Sequence, residues 1–140
     1  GDLYYNTVLK MQMEYDASRS KWLSTETQII YFGKSKDTQP GQYFKGLDGK
    51  VFSNTIGYYT EYNGTIISIS FTRANTESIT LEITESGTQI STLGPTTAIA
   101  DKSIVVNNNF SANGVLSVRN LSSGGIATDI LGQVRIKWRI

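Results

Sequence analysis

The sequence predicts an all-β chain folded as an antiparallel β-sandwich, and three observations carry that expectation. Apolar residues recur at every second position along most of the chain, which is the spacing of half-buried strands. Thr, Ile, Val and Tyr fill those stretches, and such residues suit a pleated surface. The pairs Asp48-Gly49, Asn63-Gly64, Ser86-Gly87, Asn113-Gly114 and Gly124-Gly125 punctuate them. Their spacing, with strand-sized runs every 8–12 residues or so, is that of a sandwich or barrel. No window carries a capped amphipathic helical stripe.

Taken in order, TVLKMQMEY sets Leu9, Met11, Met13 and Tyr15 against Val8, Lys10, Gln12 and Glu14, which predicts a strand over 7–15. DASR follows as a hairpin turn, because Asp16 and Ser18 can bond nearby backbone amides through their side chains. The pattern resumes over 20–32, with Trp22 just past the turn. That indole either anchors the hairpin or offers a stacking face for a sugar ring. Residues 34–49 are polar and hold Pro40 and three glycines, so a long surface loop is expected there. Short strands are predicted at 51–53 and 57–62, the second turning through Asn63-Gly64 into 65–73, where Ile67, Ile69 and Phe71 align.

Over 78–84, Ile79, Leu81 and Ile83 oppose Thr80, Glu82 and Thr84; shorter runs follow at 88–92, 103–106 and 114–119. The last strand, 133–140, puts Val134, Ile136, Trp138 and Ile140 on one face and Arg135, Lys137 and Arg139 on the other. The expected architecture is a jelly-roll-like sandwich of about eight to ten strands that includes or follows an N-terminal β-hairpin. At 140 residues one domain is the simplest organisation, with 1–32 as hairpin or neck and 50–140 as the main sandwich. Gly1 in place of an initiator Met suggests a fragment of a longer protein.

Composition narrows the chemistry. Thirteen basic residues against twelve acidic ones leave a net charge of +1, so no charge excess steers the chain to nucleic acid. Neither Cys nor His occurs, which removes disulfides, thiolate metal sites, cysteine nucleophiles and the Ser-His-Asp constellation. No apolar run approaches transmembrane length, and no membrane insertion is expected. The acids Glu61, Glu77, Glu82, Glu85, Asp101 and Asp129 are scattered, without the paired arrangement of a glycosidase. GLDGK and TDILG match no calcium loop, and SSGGIATD reads as a turn between strands. The expectation is therefore no enzyme, no metal and no cofactor. The alternation in RIKWR reads as a solvent face whose charges also discourage edge-to-edge pairing.

GYYTEYNG is the richest surface candidate. Tyr58, Thr60 and Tyr62 share one strand face, and Tyr59 and Glu61 share the other. One set should pack inside while the other is displayed, and displayed tyrosines beside an acid suit a saccharide or protein contact. Tyr58, Tyr59, Glu61 and Tyr62 are the candidate ligand residues. Met11, Met13, Tyr15 and Trp22 of the first hairpin are the candidate assembly residues. Three glycosylation sequons begin at Asn63, Asn109 and Asn120; chance matches are common for so short a pattern.

Two segments carry a family resemblance. GYYTEYNGTIISISF, residues 57–71, resembles the signature G-Y-x-x-x-x-[ND]-G-T-I-x-S-I-S of head domains in collagen-like and fibre proteins, among them spore-surface glycoproteins with a C1q-like or tumour-necrosis-factor-like trimeric jelly roll. LYY…YDASRSKWLS, residues 3–24, is similar to the start of head domains that follow stems in bacteriophage structural proteins. The resemblance covers about a quarter of the chain and brings no catalytic residues. It implies a homotrimeric head domain at a virion surface or on an extracellular appendage, which assembles its fibre and attaches to a host surface or glycan. A monomeric carbohydrate-binding module and a virion decoration or adaptor domain without a host ligand are the alternatives.

Overall fold

Along the strand over residues 79–85 the apolar face of Ile79, Leu81 and Ile83 is essentially inaccessible, and Thr80, Glu82 and Thr84 on the other face are buried as well. The computed structural model describes residues 2–140 and holds twelve strands and no helix among them. In chain order they are β1 (Leu3–Asn6), β2 (Met11–Asp16), β3 (Lys21–Ser24), β4 (Gln28–Thr38), β5 (Tyr58–Tyr59) and β6 (Gly64–Thr72). Then follow β7 (Ile79–Glu85), β8 (Thr88–Thr96), β9 (Ala100–Ser103), β10 (Asn108–Phe110), β11 (Val115–Asn120) and β12 (Ala127–Trp138). They form three antiparallel sheets. A front sheet runs β10-β6-β12-β4, with β9 also on β6; a back sheet runs β5-β11-β7-β8; a small N-terminal sheet runs β1-β2-β3.

Front and back sheets enclose one core. Ile30, Phe32, Ile66, Ile69, Phe71, Val134 and Ile136 line the front; Ile79, Leu81, Ile83, Leu93, Leu116 and Val118 line the back. The all-β sandwich expected from the sequence is therefore present. β12 sits centrally in the front sheet, where Val134 faces Ile30 on one side and Ile69 on the other. Gly132 is inward on this strand, and a Cβ there would collide with the Phe32 ring. The missing side chain is the space the phenyl ring occupies.

Several expectations about individual elements are corrected. The predicted strand over 7–15 starts only at Met11: residues 7–10 form the turn from β1 to β2, where the Asn6 side chain accepts bonds from the amides of Val8 and Leu9 at 2.9 and 2.8 Å. The 20–32 run divides at residues 25–27 into β3 and β4. Asn63-Gly64 is not a hairpin turn. β5 pairs with β11 of the back sheet and β6 with β12 of the front sheet, so this segment crosses between layers. Gly64 is required there because the Phe110 ring fills the place where its Cβ would stand. By contrast, Ser86-Gly87 makes the expected two-residue hairpin from β7 to β8, with φ of 48° and 91°, the signs of a type I′ turn.

The polar 34–49 segment is not a free loop. Lys34–Thr38 continue β4, and residues 42–45 tie the two sheets together. Phe44 N donates to Val118 O at 3.0 Å and Asn120 N to Gln42 O at 2.9 Å, on the back sheet. Lys45 N and Gly33 O, with Gly33 N and Lys45 O, pair at 2.8 and 3.0 Å on the front sheet. Phe44 is fully buried, its ring 5.5 Å from that of Phe32. Two aromatics in an otherwise polar run carry too little periodicity to announce this. Residues 107–113 contain β10, and the strand predicted at 103–106 lies instead at Ala100–Ser103, with 104–106 outside any strand.

The Gly132–Phe32 contact gives a direct test. Gly132→Ala should lower the unfolding free energy by about 1–3 kcal/mol, the usual cost of overpacking, measured by urea denaturation.

Candidate functional site

The charged turn DASR docks the first hairpin on the sandwich. Asp16 accepts bonds from Ser18 Oγ at 2.6 Å, Arg19 N at 3.0 Å and Arg19 Nη1 at 2.8 Å. The remaining guanidinium donors reach backbone carbonyls of the front-sheet side: Nε bonds Val106 O at 2.8 Å, and Nη2 bonds Ile104 O at 2.9 Å and Ile67 O at 3.0 Å. Lys21 Nζ donates to Asn109 Oδ1 at 2.7 Å, and burial pushes the pKa of Lys21 down, aided by Arg139 and Arg19 nearby. Burial acts to raise the Asp16 pKa, but the bonds from Ser18 and Arg19 and the Arg19 charge outweigh it and hold it at about 2 against an ordinary 3.8.

Of the candidate assembly residues, Met13 is fully buried and Met11 packs against the core from its margin. Trp22 stands between Tyr4 and Tyr15, with ring centroids at 4.8 and 5.5 Å and edge-on geometry. Leu23 forms a bridge with Arg139, and the Ser24 hydroxyl accepts a bond from Trp138 N at 3.0 Å. Within this chain the hairpin therefore packs on its own sandwich, leaving Tyr15 partly exposed and Trp22 between the two tyrosine rings.

The tyrosine-rich segment divides as its period of two dictates. Tyr58 and Tyr62 turn inward to Trp138, at 6.5 Å stacked and 5.6 Å edge-on, with Phe110 completing the cluster at 6.1 Å. Thr60 between them is fully buried; its hydroxyl donates to Ser111 O and accepts from Gly114 N, both at 2.8 Å. Burial, and secondarily Glu61, raises the Tyr58 pKa. Tyr59 points outward, 55% exposed, and its hydroxyl donates to Asn113 Oδ1 at 2.7 Å.

The four candidate ligand residues consequently do not form one platform. Glu61 and Tyr62 line a cavity of about 270 Å³ together with Asn6, Leu9 and Arg139. Tyr58 belongs to a different hollow, and Tyr59 stands by the Asn113 turn. Of the sequon asparagines, Asn120 is fully buried and bonds Thr38 O and Gly125 O, an arrangement closed to glycosylation. Asn63 and Asn109 also accept hydrogen bonds through their side chains.

The solvent face of the front sheet is a surface that sequence reading missed. Across its middle, Tyr31, Gln133 and Ser70 form one row and Gly33, Leu131 and Thr72 the next, all uncharged. Tyr31 is 48% and Leu131 69% exposed. Shallow hollows flank Tyr31: one of about 330 Å³ with Leu131 and Gln133, another of about 340 Å³ with Ile29, Leu47 and Tyr58. The signal was present in the 28–33 and 131–135 alternations, but which of two apolar faces lies inside is set by the partner layer. Among the described residues no cluster of three Asp, Glu, His or Cys side chains could hold a metal. Comparison of the chain with protein-family models, with curated proteins and with solved structures finds no match.

Two outcomes test the hairpin clamp. Arg19→Ala should cost about 2 kcal/mol, from loss of charge-assisted bonds, and should speed amide exchange over residues 3–24 more than in β7. Asp16 supplies the pH dependence: the unfolded chain takes up its proton near 3.8 and the docked hairpin only near 2. Its contribution is therefore complete above about pH 4 and lost as pH falls towards 2, on the order of 1 kcal/mol after solvent screening. Exchange protection measured over this range should show the step, and Asp16→Asn should remove it.

Proposed function

We propose that the chain is a homotrimeric, non-enzymatic head domain of a virion fibre, such as a phage fibre, or of a similar surface appendage, serving assembly and attachment to a host surface or glycan. The observation that supports this reading is the uncharged, partly apolar face of the front sheet. Exposed apolar side chains set among uncharged neighbours in this way suit an interaction site. A patch with Tyr31 and Leu131 at its centre and Arg135 at its margin also suits repeated contact between identical copies, since few like charges need approach one another.

The all-β fold class and the resemblance carried by residues 57–71 and 3–24 point the same way, and a jelly-roll topology belongs to this reading. So does a location on a virion surface or extracellular appendage. The lack of His and Cys supports a binding role over catalysis, because it withdraws the commonest general base and the strongest nucleophile. The partners are further copies of the chain and a cell-surface glycan or a second virion protein, with no nucleic acid among them.

Light scattering across a dilution series tests the assembly. The expected species is three times the 15.5 kDa chain mass at micromolar concentration. Leu131→Arg combined with Tyr31→Glu, both at exposed positions, should shift it to the monomer without lowering the β content in circular dichroism. A monomer throughout the series, or a trimer indifferent to both substitutions, overturns the reading.

A further inference from the structure

The solvent side of the back sheet carries a groove of about 670 Å³ that lies between β8 and the turn at 121–125. Its lining includes Thr80 of β7, Thr92, Gln89 and Pro95 of β8, and Glu77 and Ser123. None of these was singled out for binding by the sequence, where Thr80 reads only as a residue opposite the Ile79, Leu81 and Ile83 face.

The walls are held from behind. Asn120 donates through Nδ2 to Thr38 O at 3.0 Å and Gly125 O at 2.8 Å. Gly125 N bonds Ser78 O at 2.7 Å and Leu121 N bonds Thr80 O at 2.9 Å, which fixes the turn against β7. The Glu77 carboxylate accepts from Asn75 Nδ2 and Ile126 N, both at 3.3 Å, and so is set in place at the rim. A site whose groups are already positioned loses little entropy on binding.

The same face is polar underneath. Glu82, 1% exposed, follows Thr80 by two residues and stands opposite Thr92 in register. One carboxylate oxygen, Oε1, accepts Arg119 Nε at 2.8 Å. The other oxygen, Oε2, has no partner among the described residues, nor does the hydroxyl of fully buried Thr84 on the same face. Buried acceptors left this way are uncommon; both are closed to solvent and neither lines the groove, so the groove's binding chemistry rests on its own lining residues.

We propose that this groove binds a neutral oligosaccharide. Thr80, Thr92, Ser123 and Gln89 each both donate and accept, which matches sugar hydroxyls, and Pro95 offers an apolar face for a ring's C–H side. Among the described lining residues Glu77 carries the single charge, so an anionic glycan meets repulsion and no counter-charge. A peptide added as a further strand fits less well. Pro95, within β8, lacks an N–H for such pairing. This inference rests on the attachment half of the proposed function and is independent of the assembly half.

The test applies the full chain to an array of neutral and sialylated oligosaccharides and to an extended peptide. The best neutral trisaccharide is then titrated by calorimetry against the wild type, Thr92→Trp, Gln89→Ala and the front-sheet pair Leu131→Arg, Tyr31→Glu. Neutral glycans should bind selectively, Thr92→Trp should weaken binding about tenfold or more (about 1.4 kcal/mol), and Gln89→Ala should weaken it with the fold intact. Per-chain affinity should survive the front-sheet substitutions. No binding of any neutral glycan, preference for the sialylated glycans or the peptide, or indifference to both groove variants overturns the groove. Light scattering on the same samples separates this outcome from a failure of assembly, since an unchanged trimer mass leaves the assembly reading standing when the groove fails.

Discussion

The double pairing of β12 is the constraint on which the rest of the structure depends. This strand lies between β4 and β6, so it satisfies its backbone groups on both sides while its inward residues Ile130, Val134, Ile136 and Trp138 supply the middle of the core. Removing either neighbour would leave a row of buried amides and carbonyls unpaired, which is costly. The strand's far end also reaches beyond the front sheet. Trp138 gathers Tyr58, Tyr62 and Phe110 around its ring and bonds Ser24 through its amide. One strand therefore positions the crossover between layers and the docking point of the N-terminal sheet.

That small sheet is held by different physics. Met13 and Leu23 are its fully buried apolar side chains, too few to secure three strands by burial alone, since isolated small sheets are marginal in water. Arg19 and Lys21 make up the difference by reaching carbonyl and amide oxygens on the sandwich. The sandwich is thus a hydrophobic assembly and its N-terminal attachment largely a polar one. Two regions with such different cohesion respond differently to salt and temperature, because charge-assisted contacts are screened and apolar burial is not.

How much was legible follows from the same distinction. The period of two, read over 78–84 and 133–140, located the core strands because each has one face against a hydrophobic layer, although the last strand runs from Ala127 to Trp138 and leaves Ile140 exposed. The split of GYYTEYNG into inward Tyr58, Thr60 and Tyr62 and outward Tyr59 and Glu61 was legible on the same ground. Sheet membership was not. Asn63-Gly64 looks like a hairpin in one dimension, and the fact that Phe110 fills the space at Gly64 depends on a residue far along the chain. Phe44 was hidden for a similar reason, because two aromatics amid polar residues do not reveal that both sheets meet there. The assembly role expected of the first hairpin rested on its apolarity, and the structure uses Met13 and Leu23 to seat that hairpin. The groove on the back sheet was not legible at all, since threonines and a glutamine on an outward strand face look the same whether or not a turn folds over beside them.

The short segment at residues 42–45 has a mechanical meaning. Its backbone is bonded to Val118 and Asn120 in one layer and to Gly33 in the other, so the two layers cannot slide past one another without shearing bonds on both sides at once. In a chain without cysteine this is a covalent-free cross-brace, anchored by the fully buried Phe44. A pull applied along the strands would be shared between layers rather than peeling one away, a useful property for any domain that must hold its shape under repeated tension.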